Sequence, residues 1–158
     1  TEEDFFLGSI QYLKDVKAMS TLPILRKDFM VDEYQIYEAK LIGADCILLI
    51  ASILSDAEMS SFVNLAEELQ LDYLIEVHDE HELARVEHFQ NAMIGVNNRN
   101  LQTFEVDLQN SVRLKNLFSQ KNIFVAESGI KNQNDLNYLK NNNINVFLIG
   151  ESLMRNNF

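Results

Sequence analysis

Ionisable and amide side chains follow short apolar runs at five places in this sequence. Arg26, Lys27 and Asp28 follow Ile24-Leu25, and Glu76 then His78 follow Tyr73-Leu74-Ile75. Asn97, Asn98 and Arg99 follow Ile94-Gly95-Val96, and Glu127, Ser128 and Gly129 follow Phe124-Val125-Ala126. Gly150, Glu151 and Ser152 follow Leu148-Ile149. Charges at the tail of a buried strand are costly to desolvate without partners. Gathered at one end of several strands, they suit a barrel active site, where charges of both signs can compensate each other and shift each other's pKa. Ser128-Gly129 and Gly150 place small residues where backbone N–H groups can approach a phosphate. A short helix over 152–155 would turn its N-terminus to the same anion.

Plainer readings stand beside these. Lys27 next to Asp28 could be an ion pair at a strand end, and Glu76 a structural carboxylate. Arg99 could neutralise Glu76 or Glu127 or contact substrate. His78, Glu80 and His81 have a metal-like spacing, but they straddle a strand end and a helix start, which disfavours shared ligation. Cys46 lies inside the apolar run Cys46-Ile47-Leu48-Leu49-Ile50, the setting of an inert buried thiol.

The elements that must position these side chains are short and regular. Apolar runs at 24–25, 46–50, 73–77, 93–96, 123–126 and 146–149 recur roughly 20–30 residues apart, the length of one strand-plus-helix unit. Their near-continuous hydrophobicity suits parallel strands buried on both faces. Helical spacing fills the intervals at 9–19, 32–41, 107–118 and 132–140. Two further helices open at Ser55-Asp56-Ala57-Glu58 and at Asp79 with Glu82. Asn141-Asn142-Asn143 reads as a helix end and turn. Period-two alternation puts Glu76 on one side with Leu74 and His78, Asn97 with Arg99, and Lys27 with Leu25. Six βα repeats fit an open doubly wound sheet or part of a barrel. The turn after the first strand, Lys27-Asp28-Phe29-Met30, has no glycine of the nucleotide-binding kind, which favours the barrel.

Over 158 residues, 47% hydrophobic and 23% charged residues make a globular composition, and without a linker one domain over 1–158 is the economical reading. A net charge of −11 repels nucleic acid and anionic lipid, so neither is expected as a partner. An anionic ligand then needs a local cluster of donors. No apolar stretch approaches the ~20 residues of a membrane helix. A lone cysteine suits a reducing cytoplasm, the expected location. The acidic start Thr1-Glu2-Glu3-Asp4 has neither an initiator Met nor signal-peptide order, so the chain is expected to begin within a longer protein.

Several blocks together resemble the indole-3-glycerol-phosphate synthase family. They are Pro23-Ile24-Leu25-Arg26-Lys27-Asp28-Phe29, Gly43-Ala44-Asp45-Cys46-Ile47-Leu48-Leu49-Ile50 and Leu74-Ile75-Glu76-Val77-His78-Asp79-Glu80. Ile94-Gly95-Val96-Asn97-Asn98-Arg99-Asn100-Leu101, Ala126-Glu127-Ser128-Gly129-Ile130 and Leu148-Ile149-Gly150-Glu151-Ser152-Leu153-Met154-Arg155 belong to the same set. The resemblance implies an α/β fold, a TIM (β/α)8 barrel incomplete at about six of eight βα units, strands three to eight. It implies a carboxy-lyase of tryptophan biosynthesis that closes, decarboxylates and dehydrates a carboxyphenylamino-deoxyribulose phosphate, a phosphorylated small molecule. It also implies Lys27 as acid and Glu76 as base, with Asn97 beside the reacting centre. Arg99 and Glu127 contact substrate, and Phe6, Phe29 and Leu48 wall its aromatic ring. Ser128, Gly129, Gly150 and Glu151 bind the phosphate. No metal, nicotinamide or flavin is called for.

The family's first strand carries a further lysine and glutamate that this sequence lacks. Open barrel edges then call for association, with a second copy or with an N-terminal segment. The rival readings are a non-catalytic phosphosugar-binding half-barrel and another phosphate-binding barrel isomerase.

Overall fold

The computed structural model describes residues 1–3, 7–100 and 103–155. Helices and strands alternate along them: α1 Ile10–Met19, β1 Leu25–Arg26, α2 Glu33–Ile42, β2 Cys46–Ile50, α3 Asp56–Glu68 and β3 Asp72–Val77. There follow α4 Glu80–Val86, β4 Met93–Asn97, α5 Gln109–Leu117, β5 Phe124–Glu127, α6 Gln133–Asn141, β6 Val146–Leu148 and α7 Glu151–Met154. The strands are hydrogen-bonded in the order of the sequence, β1-β2-β3-β4-β5-β6. β1 with β2, β4 with β5, and β5 with β6 all pair in parallel. Six βα units with strands in sequence order are the incomplete (β/α)8 arrangement that the family resemblance implied. The chain forms two compact units, Thr1–Ile75 and Glu76–Phe158.

In the first unit the local chemistry fixes each helix start. Ser9 accepts from the Tyr12 N–H before α1, and Asp32 with Gln35 forms a capping box before α2. Ser55 with Glu58 does the same before α3. Each box satisfies N–H groups that a helix start would leave unpaired. Gly43 ends α2 at φ 93°, a left-handed conformation in which a side chain is strained. The core is β2, buried along its whole length, against Ile36 and Ala39 of α2 and Met59 and Ala66 of α3. Fully burying one such aliphatic side chain contributes about 1.5–3 kcal/mol. Cys46 belongs to this core, and burial pushes its thiol pKa up to about 12, so the inert reading holds.

The second unit repeats the pattern with Asp79 capping α4 and Asn132 with Asp135 boxing the start of α6. α5 starts later than its periodicity predicts, because Asp107 spends its carboxylate on the Gln109 N–H in a turn before the helix. Asn143 takes φ 61° after α6, the turn expected of the asparagine run. Val96, Leu114, Ala126, Leu139 and Ile144 make its core. Among the described residues no helix is long and apolar enough to cross a membrane.

Candidate active site

In the first unit the polar residues at the end of β1 are bound into a network. Arg26 lies within the strand rather than after it and is only 3% exposed. Its Nε donates to Thr1 Oγ1 at 2.9 Å and its Nη1 to the Gln35 carbonyl at 2.9 Å. Its Nη2 reaches Glu38 at 2.7 Å and Asp28 at 3.2 Å. Asp28 is thus engaged by Arg26, and by the Thr1 hydroxyl as well. Lys27 follows as a half-buried side chain lining a recess of about 220 Å³ with Ile24, Leu25, Tyr12, Leu13 and Val16. Phe29 is half-buried, and its backbone is pinned by the Asp28 carboxylate and the Gln35 amide. Leu48 is wholly enclosed in β2.

In the second unit β3 and β4 end together on three polar side chains. Glu76 is 4% exposed, and its Oε1 accepts from Asn97 Nδ2 at 3.0 Å. Asn97 Oδ1 accepts from the Arg99 N–H at 3.0 Å, which fixes the way its amide faces. His78 Nε2 lies 3.3 Å from the same Glu76 oxygen, and Nδ1 lies 3.1 Å from Glu82 Oε2. Glu76 and His78 therefore share one face, as strand alternation predicts, and Asn97 of β4 meets them there. Burial alone would pull the His78 pKa down. The neighbouring carboxylates of Glu76 and Glu82 outweigh it and raise the pKa to about 9. At neutral pH this ring is an imidazolium.

Asn98 faces the other way. Its Oδ1 accepts from Ser111 N and Oγ, and its Nδ2 donates to the Glu127 carbonyl. It joins the end of β4 to α5 and β5. Glu127 is 1% exposed at the end of β5. Ser128 and Gly129 follow in left-handed conformations, φ 62° and 77°. Ser152 Oγ donates to the Ile130 carbonyl at 2.6 Å, which ties the loop after β5 to the start of α7. Gly150 precedes α7, and the exposed Glu151 side chain accepts from Arg99 and Arg155, each at 3.2 Å. Arg99 thus meets Glu151 across this loop pair. Phe6 lies outside the described residues.

His78 and Glu82 form a contact pair that the sequence pattern leaves unpaired. The signal was there, since a histidine two residues beyond a strand-end glutamate must share its face. Glu82 read only as a helix-start residue. Its carboxylate turns back to the His78 N–H and ring instead of capping Asp79.

Parallel βα units with ionisable groups at the C-terminal ends of the strands define a chain of the (β/α)8-barrel class. The fold matches that of the tryptophan synthase A-subunit of Pyrococcus furiosus, with a TM-score of 0.74 at 16% identity over 92% of this chain and 63% of that one. The model of the family "Indole-3-glycerol phosphate synthase" matches residues 1–157, and the chain belongs to that family. The indole-3-glycerol phosphate synthase of Ruminiclostridium cellulolyticum is 50% identical over 155 residues, 98% of this chain and 60% of the relative. That of Endomicrobium trichonymphae is 48% identical over the same shares. The chain thus spans about 60% of the length of the curated relatives it matches.

Proposed function

We propose that the chain contributes most of the active site of an indole-3-glycerol phosphate synthase. The reaction closes the ring of 1-(2-carboxyphenylamino)-1-deoxyribulose 5-phosphate and releases carbon dioxide and water. The observation that carries this reading is Glu76, a carboxylate 4% exposed at a strand end and met by an amide and an imidazolium. A buried carboxylate gripped in this way is a placed proton acceptor, and 50% identity to a named synthase supplies the reaction.

In this reading Lys27 protonates the substrate ketone as the aromatic carbon attacks it. Loss of the carboxyl group as carbon dioxide restores the ring, and loss of the hydroxyl as water completes the indole. Glu76 removes the proton that this last step releases, while Asn97 holds both Glu76 and the reacting end of the substrate. Arg99 and Glu127 contact polar groups of the substrate, and Phe6, Phe29 and Leu48 face its aromatic ring. Backbone N–H groups around Ser128, Gly129, Gly150 and Glu151 receive the phosphate. The Glu151 carboxylate, engaged by two arginines, leaves only its main chain for that task. Such an enzyme works in the cytoplasm on a phosphorylated small molecule.

The test is Lys27→Ala in the complete protein. Turnover should fall by about 10²–10⁴-fold while a phosphate-ester analogue still binds. Native turnover in this variant would overturn the assignment.

A further inference from the structure

The synthase reading gives the half-buried His78 side chain no task. His78 is 15% exposed and stands between two carboxylates. On one side Glu82 Oε2 accepts from the His78 N–H at 2.8 Å and meets ring Nδ1 at 3.1 Å, so one oxygen grips both main chain and ring. On the other side Nε2 faces Glu76 Oε1 at 3.3 Å. Asn110, from α5, donates to the His78 carbonyl at 2.9 Å and fixes the backbone from a third direction. Helix α4 thus acts on the proposed base through a ring whose position is set at three points.

We propose that His78, gripped by Glu82 and aimed at Glu76, is the positioning residue that holds the base for proton transfer. The inference rests on the reading of Glu76 as base. A ring protonated on both nitrogens donates to both carboxylates at once. A neutral ring cannot, because one nitrogen then turns a lone pair on Glu76 or on Glu82. Loss of the proton therefore releases one end of the clamp. The charged groups acting on the ring are Glu76 of β3 and Glu82 of α4. β4 and α5 contribute the uncharged Asn97 and Asn110.

The deciding experiment follows His78 by histidine-labelled NMR titration in the complete protein, beside pH profiles of kcat and KM. The His78 ring should titrate near pH 9, and in both Glu82→Gln and Glu76→Gln that midpoint should fall by about one unit or more. His78→Gln should lower kcat by about 10- to 100-fold with KM changed less than about threefold, since positioning acts on the step and not on binding. Glu82→Gln should lose activity chiefly on the alkaline side. Native kcat and pH profile in His78→Gln, or a His78 midpoint unmoved by Glu82→Gln, overturns the proposal. If Glu76→Gln turns over normally while His78 titrates as expected, the synthase reading of Glu76 fails and the clamp stands as structure alone.

Discussion

Two strand ends in this chain bury charge, and they do so in opposite ways. At the end of β1, Arg26 makes short contacts from all three guanidinium nitrogens, to Thr1, Gln35, Glu38 and Asp28. At the end of β3, Glu76 meets Asn97 at 3.0 Å but His78 at 3.3 Å, with the imidazole nitrogen off hydrogen-bonding geometry. The first network is closed and has no slack. The second is held from behind by Glu82 and is loose where the proposed proton transfer takes place, as contacts in an empty active site often are. The closed network holds the fold; the looser one, on a pre-set backbone, is where the proposed proton transfer would take place.

The sharpest way to break this contrast is to open the closed network. Arg26→Met leaves Asp28 and Glu38 facing each other at the strand end without their cation. Removing one partner of a buried ion pair costs about 3–5 kcal/mol, so urea unfolding should show a loss of that order. Asp28→Asn placed on top should recover part of it, because one stranded charge is then gone. A loss under ~1 kcal/mol would show that Arg26 is as loosely held as a surface residue.

The second contrast is in pH. The folded His78 ring titrates near 9 and an unfolded histidine near 6.5, so protonation favours the folded state. The stabilisation is complete below pH 6.5 and is lost as pH rises through 9. The full shift corresponds to about 3–4 kcal/mol, and solvent screening of the partly exposed ring brings this to about 2–3 kcal/mol. Unfolding free energies at pH 6 and pH 10 should differ by that amount in the native chain and much less in His78→Gln. An equal drop in both would assign the alkaline loss to other groups.

These contrasts explain how much the sequence could disclose. The strands were legible because parallel strands buried on both faces are written as apolar runs, and β2 matches its run to the residue. Helix starts were legible where a side chain caps them, as at Asp32, Ser55 and Asn132, and shifted where none does, as at α5. Period two put Glu76 with His78; that Asn97 of the next strand meets them is a finding of the fold. Pairing did not follow. Asp28 neighbours Lys27 in sequence but is engaged by Arg26, because period two sends residues 26 and 28 to the same face and 27 to the other. The loop after β5 was legible only as small residues, since neighbouring chain rather than residue type sets the left-handed pair Ser128-Gly129.

That loop separates backbone shape from charge. A Cβ at Gly129 would lie 2.0 Å from Val106 Cγ1, and φ there is +77°. Both the clash and the left-handed conformation weigh against any side chain. Gly129→Ala should therefore cost about 1–3 kcal/mol in denaturant unfolding and weaken binding of inorganic phosphate if this loop receives the anion. Native stability would mean that the loop and Val106 yield together.

The smallest effect belongs to an ion pair that looks stronger than it is. Lys17 Nζ meets Asp45 Oδ2 at 2.7 Å, shorter than either Arg26–Asp28 or His78–Glu76. Yet the two side chains are 39% and 36% exposed, so water competes for both charges. The Lys17 ammonium holds the Asp45 carboxyl below its usual pKa, and the Ile24 N–H helps. A lowered pKa contributes stability that is present above the unfolded value of 3.8 and is lost as pH falls below it. Lys17→Met should change the unfolding free energy at pH 7 by about 0.2–1 kcal/mol, and by less at pH 3 and high salt. Ile24 keeps its hydrogen bond to Asp45 in the variant, which limits the loss. A change above ~1.5 kcal/mol would place this pair with the buried Arg26 network, and distance rather than burial would then be the better guide to which charges hold the fold.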